Sequence, residues 1–214
     1  EIFGGIGQNF VNPAMIARLM LVVSFGNSFQ NSLPVNAVDA ASSATPLAIL
    51  KNGADAVANA PALQDMFLGV HGSLAVGETS ALAILIGGAY LLIRKVIKPH
   101  IPLVYLSTVA ILALLFSGFD VMFMVYQLLS GGLLFAAFFM ATDYSTSPLT
   151  NKGKIVFAIG LGVLTAVIRF WGSLPEGVSY SIVIMNILTV HIDNWTRSPI
   201  FGYSKKNVKK EAKA

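Results

Sequence analysis

The sequence contains no cysteine, which excludes several kinds of site before any motif is considered. Disulfide bonds, thiolate zinc sites and cysteine-bound iron–sulfur clusters all need residues that this chain does not have. Charged residues are also scarce: they make up 11% of the 214 residues, whereas soluble domains carry about 25%. Most of the surface must therefore face something other than water.

Hydrophobic residues make up 55% of the chain, and the mean hydropathy is +0.73. They are concentrated in six apolar stretches, at residues 11–26, 79–97, 101–117, 121–142, 154–172 and 177–195. A helix needs about 20 apolar residues to cross a bilayer, and most of these stretches approach that length. The first is short and contains Pro13 and Arg18, so we expect it to be broken or tilted. The sequence predicts an all-α polytopic membrane protein with about six membrane segments, forming one membrane domain over residues 1–214.

The net charge of +4 follows the predicted membrane topology and does not indicate nucleic-acid binding. Basic residues lie in alternate connections and in the tail: Arg94, Lys95, Lys98, Lys152, Lys154, Arg197, Lys205, Lys206, Lys209, Lys210 and Lys213. The connections that contain Asp120 and Glu176 have no lysine or arginine. Because positive charge is retained on the cytoplasmic side, we expect a cytoplasmic basic tail at 202–214, close to anionic lipids, and an external loop at 27–77.

Loop 27–77 is much longer than an ordinary connection between helices, which indicates a function. It contains the small polar heptapeptide Asp39-Ala40-Ala41-Ser42-Ser43-Ala44-Thr45. Pro46 restricts Thr45 to extended backbone angles and itself suits the first position of a helix. A phosphate on the Thr45 hydroxyl would then face free amides at a helix start. Without a phosphate, Thr45 is simply a helix cap.

Other polar residues allow both a functional and a structural interpretation. Asn12 either caps a helix that begins at Pro13 or lines a cavity with the glycines before it. Arg18 lies in an apolar stretch, which makes it a candidate functional cation or a paired structural arginine. Asp143 and Asp193 either bind a cation or proton or are solvated helix ends. The histidines show no metal-ligand spacing, so we predict no metal site.

Four segments, in this order along the chain, resemble the RnfD/NqrB family of membrane subunits. They are Gly4-Gly5-x-Gly7-x-Asn9 with Asn12-Pro13-Ala14, then Ser43-Ala44-Thr45-Pro46-Leu47, then Gly72-Ser73 with Gly77-Glu78-Thr79-Ser80 and Gly87, and finally Thr142-Asp143 with Thr146-Ser147-Pro148. Ser43 stands where the NqrB branch commonly has glycine, which favours the RnfD branch. The resemblance covers essentially the whole chain. It implies the C-terminal two-thirds of such a protein and part of a ten-helix fold with an inverted repeat.

The resemblance also implies that Thr45 carries FMN through a phosphoester, attached by a separate flavin transferase. The other residues expected to contact or present the flavin are Asp39, Ser42, Ser43, Ala44, Arg18, Asn12, Gly72, Ser73 and Glu78. The resemblance leaves open whether a second, non-covalent flavin also binds. The chain would relay electrons in the ion-translocating ferredoxin:NAD oxidoreductase (Rnf) complex of a bacterial or archaeal cytoplasmic membrane, coupled to Na⁺ or H⁺ transport. The implied partner subunits are RnfA, RnfB, RnfC, RnfE and RnfG.

The chain contains no dinucleotide-binding fingerprint and no cluster motif, so we expect the donor and acceptor sites in other subunits. Two other interpretations remain. The polar breaks at 4–13 and 142–148 also fit a passive channel or solute transporter that binds no flavin. A structural scaffold with an unmodified heptapeptide fits as well. Flavin fluorescence of the denatured protein distinguishes the first interpretation from both others.

Overall fold

The computed structural model describes residues 9–25, 46–51, 60–69, 80–172 and 177–197, and within these ranges every regular element is helical. The helices are α1 Pro13–Ser24, α2 Pro46–Leu50, α3 Leu63–Leu68, α4 Ala81–Ile93, α5 His100–Phe116, α6 Val121–Leu129, α7 Leu133–Met140, α8 Asn151–Trp171 and α9 Val178–Thr196. α7 changes to π-helical geometry over Ala136–Met140. The all-helical prediction is therefore confirmed for the described part. The heptapeptide and the tail 202–214 lie outside it.

Helix length and hydropathy identify one described helix that could cross a membrane alone. α8 has 21 residues and a hydropathy of 1.8, which gives it a length of about 31 Å, close to the thickness of a bilayer core. α6 and α7 would form a second span if the bent pair is counted as one, and their axes differ by 66°. α1, α4 and α5 are shorter apolar helices. Each predicted apolar stretch thus contains a helix, and six spans remain a prediction.

Polar side chains begin the helices at the positions that the sequence indicates. Asn12 Oδ1 accepts from Ala14 N at 3.0 Å, and Pro13 occupies the first position of α1, as predicted. Asp120 Oδ1 accepts from Met122 N at 2.8 Å at the start of α6. Such caps satisfy amides that have no partner within the helix. α2 begins at Pro46, which also confirms the expected helix start.

The core forms where α5, α8 and α9 pack together with α1 and α7. Glycine allows the close approach of α5 and α8: a Cβ added to Gly162 would lie 2.5 Å from Thr108 Cβ. Small residues have this role in membrane proteins because they let helix backbones approach. The buried residues of this core are Met15, Ile101, Tyr105, Val109, Leu133, Ala136, Ala137, Ala141, Phe157, Ala158, Leu161, Val178, Ile182, Met185 and Ile192.

Two smaller clusters attach the remaining helices. α2 and α3 bury Leu50 and Met66 against Phe123 and Tyr126 of α6. Tyr126 also donates from its hydroxyl to the carbonyl oxygen of Pro61 at 2.9 Å. α4 packs its residues Ala81 and Ile84 against Leu134 and Phe138 of α7. The short helices from the long loop are therefore held against α6, the first half of the bent pair.

The connections that contain lysine and arginine are joined by hydrogen bonds at one end of the helical bundle. Lys98 Nζ donates to Asn151 Oδ1 at 3.2 Å, which joins the α4–α5 connection to the start of α8. The hydroxyl oxygens of Thr150 and Thr196 lie 2.6 Å apart and join the start of α8 to the end of α9. Arg197 follows directly. This common end agrees with the charge pattern from which the cytoplasmic side is predicted.

The outer surface of α8 carries an apolar stripe. Ile155, Ile159, Val163 and Val167 are spaced four residues apart and are each 40–45% exposed. Residues at this spacing lie on one helix face. Their exposure is costly in water and favourable against lipid or another membrane subunit.

We predict that Gly162→Ala destabilises the α5–α8 contact by about 1–3 kcal/mol, because the added methyl group overpacks the interface. The measurement is reversible unfolding in mixed micelles. Thr108→Gly should rescue the variant by removing the side chain that the methyl group meets. Val163→Ala on the exposed stripe is the matched control. Equal stability of Gly162→Ala and the parent chain would contradict this packing.

Candidate functional site

A break in the fourth apolar stretch lies at the centre of the described fold. α6 ends at Leu129 and α7 begins at Leu133, with Gly131 at φ +65 between them. Glycine adopts this backbone conformation readily, whereas other residues are strained in it. The backbone at Gly131 therefore turns the chain between two helices and does not continue one helix.

Arg169 of α8 fills the space beside this break. Its Nη1 donates to the carbonyl oxygen of Gln127 at 2.8 Å and to Gln127 Oε1 at 3.3 Å. Its Nη2 donates to the carbonyl oxygen of Ser130 at 3.2 Å. The side chain is only 4% exposed. The last carbonyls of a helix have no partner within that helix, and at membrane depth no water satisfies them. Arg169 therefore supplies the donors that a broken helix needs.

The charge of Arg169 also suits this position. A helix C-terminus carries partial negative charge, and a cation there is stabilising. The guanidinium group offers several donors in one plane, so a single residue can serve two carbonyl groups. Ser130 Oγ is buried and has no hydrogen-bond partner within the described residues. The break is thus held by one cation and still contains an unused polar atom.

A narrow cavity lies on the α7 side of Arg169, and Arg18 of α1 also lines it. Its volume is about 10 Å³, which is about the space one water molecule requires. The lining residues are Met15, Arg18, Gly132, Ala136, Met140, Arg169, Val178 and Ser179. Two arginines therefore line one small space.

The helix that follows the heptapeptide packs at the same break. A Cβ added to Gly131 would lie 3.1 Å from Leu47 Cδ2 and 3.2 Å from Arg169 Nη2. Leu47 and Leu50 of α2 are both buried. The start of α2 thus lies close to the guanidinium of Arg169. Most of the predicted flavin-contacting residues lie outside the described ranges: Asp39, Ser42, Ser43, Ala44, Thr45, Gly72, Ser73 and Glu78.

Asn12 lies at the start of α1, where this helix meets α9. Its side chain caps α1, and it is 8% exposed. With the Asn186 amide oriented to satisfy both neighbours, the Asn186 oxygen accepts from Asn12 N at 3.1 Å and the nitrogen donates to the carbonyl oxygen of Ile182 at 3.3 Å. Asn12 and Asn186 therefore fix α1, and with it Arg18, against α9.

A chain of hydroxyl groups crosses the core close to this site. The hydroxyl oxygens of Tyr105 and Thr165 lie 2.7 Å apart, and Thr165 donates to Ser181 Oγ at 3.1 Å. Ser181 donates in turn to the carbonyl oxygen of Gly177 at 2.7 Å. All three side chains are fully buried. Buried polar groups need such partners, and this chain links α5, α8 and the start of α9.

The two aspartates that were considered as ion or proton sites serve the backbone of the α7–α8 connection. Asp143 accepts from Ser145 N, Ser145 Oγ and Thr146 Oγ1 at 2.9–3.3 Å. Asp193 accepts from Leu149 N at 3.0 Å. Within the ranges that the structure describes, no three histidine, aspartate or glutamate side chains are grouped to hold a metal ion. This geometry favours the structural interpretation of both aspartates.

Arg169 is the site residue that the sequence analysis missed. It lies in an apolar stretch, as Arg18 does, and a cation in such a stretch indicates function by default. The same criterion would have selected it. Its partners at Gln127 and Ser130 could not be inferred, because they depend on the bend at Gly131.

Comparison with known proteins identifies the family of the chain and several relatives. Residues 1–202 match the NQR2, RnfD, RnfE family. The chain is 46% identical over its whole length to the D subunit of the Na⁺-translocating ferredoxin:NAD⁺ oxidoreductase complex of Acetobacterium woodii, covering 65% of that protein. It is 43% identical over 93% of its length to the D subunit of the proton-translocating ferredoxin:NAD⁺ oxidoreductase complex of Clostridium ljungdahlii, covering 63% of it. The D subunit of an ion-translocating oxidoreductase complex of Stutzerimonas stutzeri is 37% identical over 94% of the chain, which covers 66% of that relative. The chain thus spans slightly less than two thirds of the length of these relatives.

We predict that Arg169→Met destabilises the fold by about 2–4 kcal/mol, because two buried carbonyl groups lose their donor. Arg169→Lys should cost less, since an ammonium group can still serve one of them. Unfolding in mixed micelles gives the free energies. The control is Arg94→Met, an exposed arginine at the end of α4, which should shift the free energy by less than about 0.5 kcal/mol. Equal effects of the two methionine variants would contradict the role given to Arg169.

Proposed function

Because the chain belongs to the NQR2, RnfD, RnfE family, we propose that it is a membrane component of an ion-translocating ferredoxin:NAD⁺ oxidoreductase complex. In this proposal it relays electrons within the complex and does not catalyse the reaction alone. The names of the relatives from Acetobacterium woodii and Clostridium ljungdahlii support this assignment. The absence of cysteine agrees with a subunit whose electron donor and acceptor sites are held by its partners.

The observation that carries the relay role is the position of α2. Thr45, the proposed attachment point of FMN, is bonded to Pro46 at the start of α2. Leu47 packs at Gly131, where Arg169 Nη2 also lies. Two residues span at most about 7 Å of extended chain, so the chain connects Thr45 to Leu47 within that distance. We propose that a phosphoester on Thr45 carries its negative charge toward this end of α8.

The two arginines suit the phosphate of FMN in charge, and the cavity between them is too small to enclose the cofactor. Arginine binds phosphate oxygens with short, charge-assisted hydrogen bonds, and Arg18 is the cation that the sequence already suggested. The cavity of about 10 Å³ has room for about one water molecule, so both the phosphate and the isoalloxazine ring would lie outside it. When bound, FMN supplies reversible one- and two-electron transfer. The chain's own residues would anchor α2 and hold positive charge near Thr45.

The described elements are helical and include one apolar helix long enough to cross a membrane. The proposal adds a complete membrane arrangement. We propose six membrane segments, with the broken α6–α7 pair as one of them, in a fold related by an inverted repeat to the rest of a longer protein. The end of the bundle with Lys98 and Arg197 would face the cytoplasm, and loop 27–77 would lie outside. The exposed stripe on α8 would contact lipid or a neighbouring subunit.

Two further features of the proposal come from the relatives. One relative is named as Na⁺-translocating and another as proton-translocating. The ion whose transport is coupled to electron transfer here is therefore proposed to be Na⁺ or H⁺. The proposed partners are the other subunits of the Rnf complex and a flavin transferase during maturation. A second, non-covalent flavin remains compatible with the proposal.

A passive channel or solute transporter is the second candidate function. The observation in its favour is the 66° bend between α6 and α7, because interrupted helices are common at transporter binding sites. Such a protein would contain no covalent flavin. Fluorescence of the denatured chain therefore separates the two candidates.

We predict that Thr45→Ala abolishes covalent flavin and leaves the helices intact, because this hydroxyl is the proposed attachment atom. Loss of a helix cap costs only about 0.5–2 kcal/mol. Flavin fluorescence after denaturing electrophoresis measures attachment, and circular dichroism measures helix content. Thr79→Ala, outside the heptapeptide, is the control and should keep its flavin. A fluorescent Thr45→Ala band would exclude this attachment site.

We predict that a membrane-impermeant thiol reagent applied from outside labels Ser42→Cys and does not label Lys205→Cys. The physical reason is the retention of basic residues on the cytoplasmic side. The chain has no native cysteine, so each variant contains a single target. Permeabilised cells supply the control, in which both positions should react. Labelling of the tail alone in intact cells would reverse the proposed orientation.

A further inference from the structure

Two exposed tryptophans mark opposite ends of α8. Trp171 is the last residue of α8 and is 71% exposed. Trp195 is 80% exposed, and it precedes Thr196, whose hydroxyl oxygen lies 2.6 Å from that of Thr150 at the start of α8. Since α8 has 21 residues, the two tryptophans lie about 30 Å apart along it. Tryptophan is enriched at this separation, at the two surfaces of a bilayer.

The two ends differ in charge, and this difference carries an inference about lipid binding. We propose that the basic end, which comprises Lys98, Lys152, Arg197 and Trp195, binds the headgroups of anionic phospholipids. The end around Trp171 does not select lipids by charge. This inference rests on the membrane part of the proposed function and is independent of the flavin. It identifies the class of lipid and the residues that select it.

Hydrogen bonds bring the cations of the basic end together from three parts of the chain. Lys98 Nζ donates to Asn151 Oδ1 at 3.2 Å, which places Lys98 beside Lys152. Arg197 follows Thr196, which contacts the residue before α8. The side chains of Lys98, Lys152 and Arg197 are all exposed. The fold therefore presents them on one surface, although the chain separates them widely.

Positive charge exceeds negative charge at the basic end. The basic residues described there are Arg94, Lys95, Lys98, Lys152, Lys154 and Arg197. The acidic residues described there are Asp143 and Asp193, and both accept hydrogen bonds from the α7–α8 connection. Each lysine or arginine near a membrane surface favours binding to anionic lipid by about fivefold. The opposite end has no such excess among its described charged residues, which are Lys51, Asp65 and Asp120.

Exposed apolar side chains favour a membrane over a water-soluble acidic partner. Tyr144 and Leu149 of the α7–α8 connection are 87% and 80% exposed, and Trp195 lies at the same end. Water would solvate such side chains poorly, whereas the layer between headgroups and acyl chains accepts both aromatic rings and basic groups. The apolar stripe of α8 begins at Ile155, directly beyond this layer. The basic end thus has the composition of an interfacial surface.

The test measures which lipid contacts each tryptophan of the full chain. The sequence contains two tryptophans, so Trp171→Phe leaves Trp195 as the reporter and Trp195→Phe leaves Trp171. Each variant is reconstituted in vesicles of equimolar phosphatidylcholine and phosphatidylglycerol. One lipid at a time carries bromine on its acyl chains, which quenches tryptophan fluorescence on contact. Both leaflets have the same composition, so the direction of insertion does not affect the result.

The charge variants are made in the Trp171→Phe chain. Lys98→Gln, Lys152→Gln and Arg197→Gln are combined to remove the three cations, and glutamine at 98 keeps a donor for Asn151. Arg197→Lys alone keeps the charge. Lys51→Gln is the matched control, because it removes a positive charge from the opposite end. Circular dichroism shows whether each variant keeps its helices.

We expect brominated phosphatidylglycerol to quench Trp195 more than brominated phosphatidylcholine does, and the two lipids to quench Trp171 equally. The triple variant should lose the preference at Trp195, and high salt should weaken it. Arg197→Lys and Lys51→Gln should keep it. Equal quenching of Trp195 by both lipids, or a preference that survives in the folded triple variant, would overturn this inference and leave the membrane arrangement standing. Absence of quenching at both tryptophans would overturn both.

Discussion

The hydrogen bonds between Arg169 and the end of α6 are the interaction on which the centre of this structure depends. A helix that stops within an apolar layer exposes carbonyl groups that lipid cannot satisfy. Arg169 satisfies those of Gln127 and Ser130 from α8. The bend at Gly131 can therefore exist inside the core.

The bend has consequences for the rest of the molecule. It turns α7 away from α6, so that α4 packs on α7 while the short helices α2 and α3 pack on α6. It also opens the narrow space that Arg18 enters from α1. The polar chain of Tyr105, Thr165 and Ser181 braces α5, α8 and α9 around it. The break beside Arg169 is thus also the place where α2 packs against the longer helices.

The sequence predicted the elements better than the site. Apolar stretches gave the helix positions to within a few residues, and Asn12, Pro13 and Pro46 marked helix starts correctly, because capping and proline geometry are local properties. The bend was missed because a glycine pair supports either close packing or a turn, and only tertiary contacts decide between them. Arg169 was missed although its apolar surroundings mark it as unusual. Its role depends on Gly131 and Gln127, which are about 40 residues away in sequence and could not be paired with it by pattern alone.

The central claim is that Arg169 holds the break between α6 and α7 through its hydrogen bonds to the carbonyl oxygens of Gln127 and Ser130. An experimental density map of the protein within its complex tests it most directly, through the distances from the guanidinium nitrogens to these two oxygens. The account predicts both distances at about 3 Å, with α2 still packed at Gly131. A continuous helix through this region, with Arg169 turned away from both carbonyl groups, would contradict it.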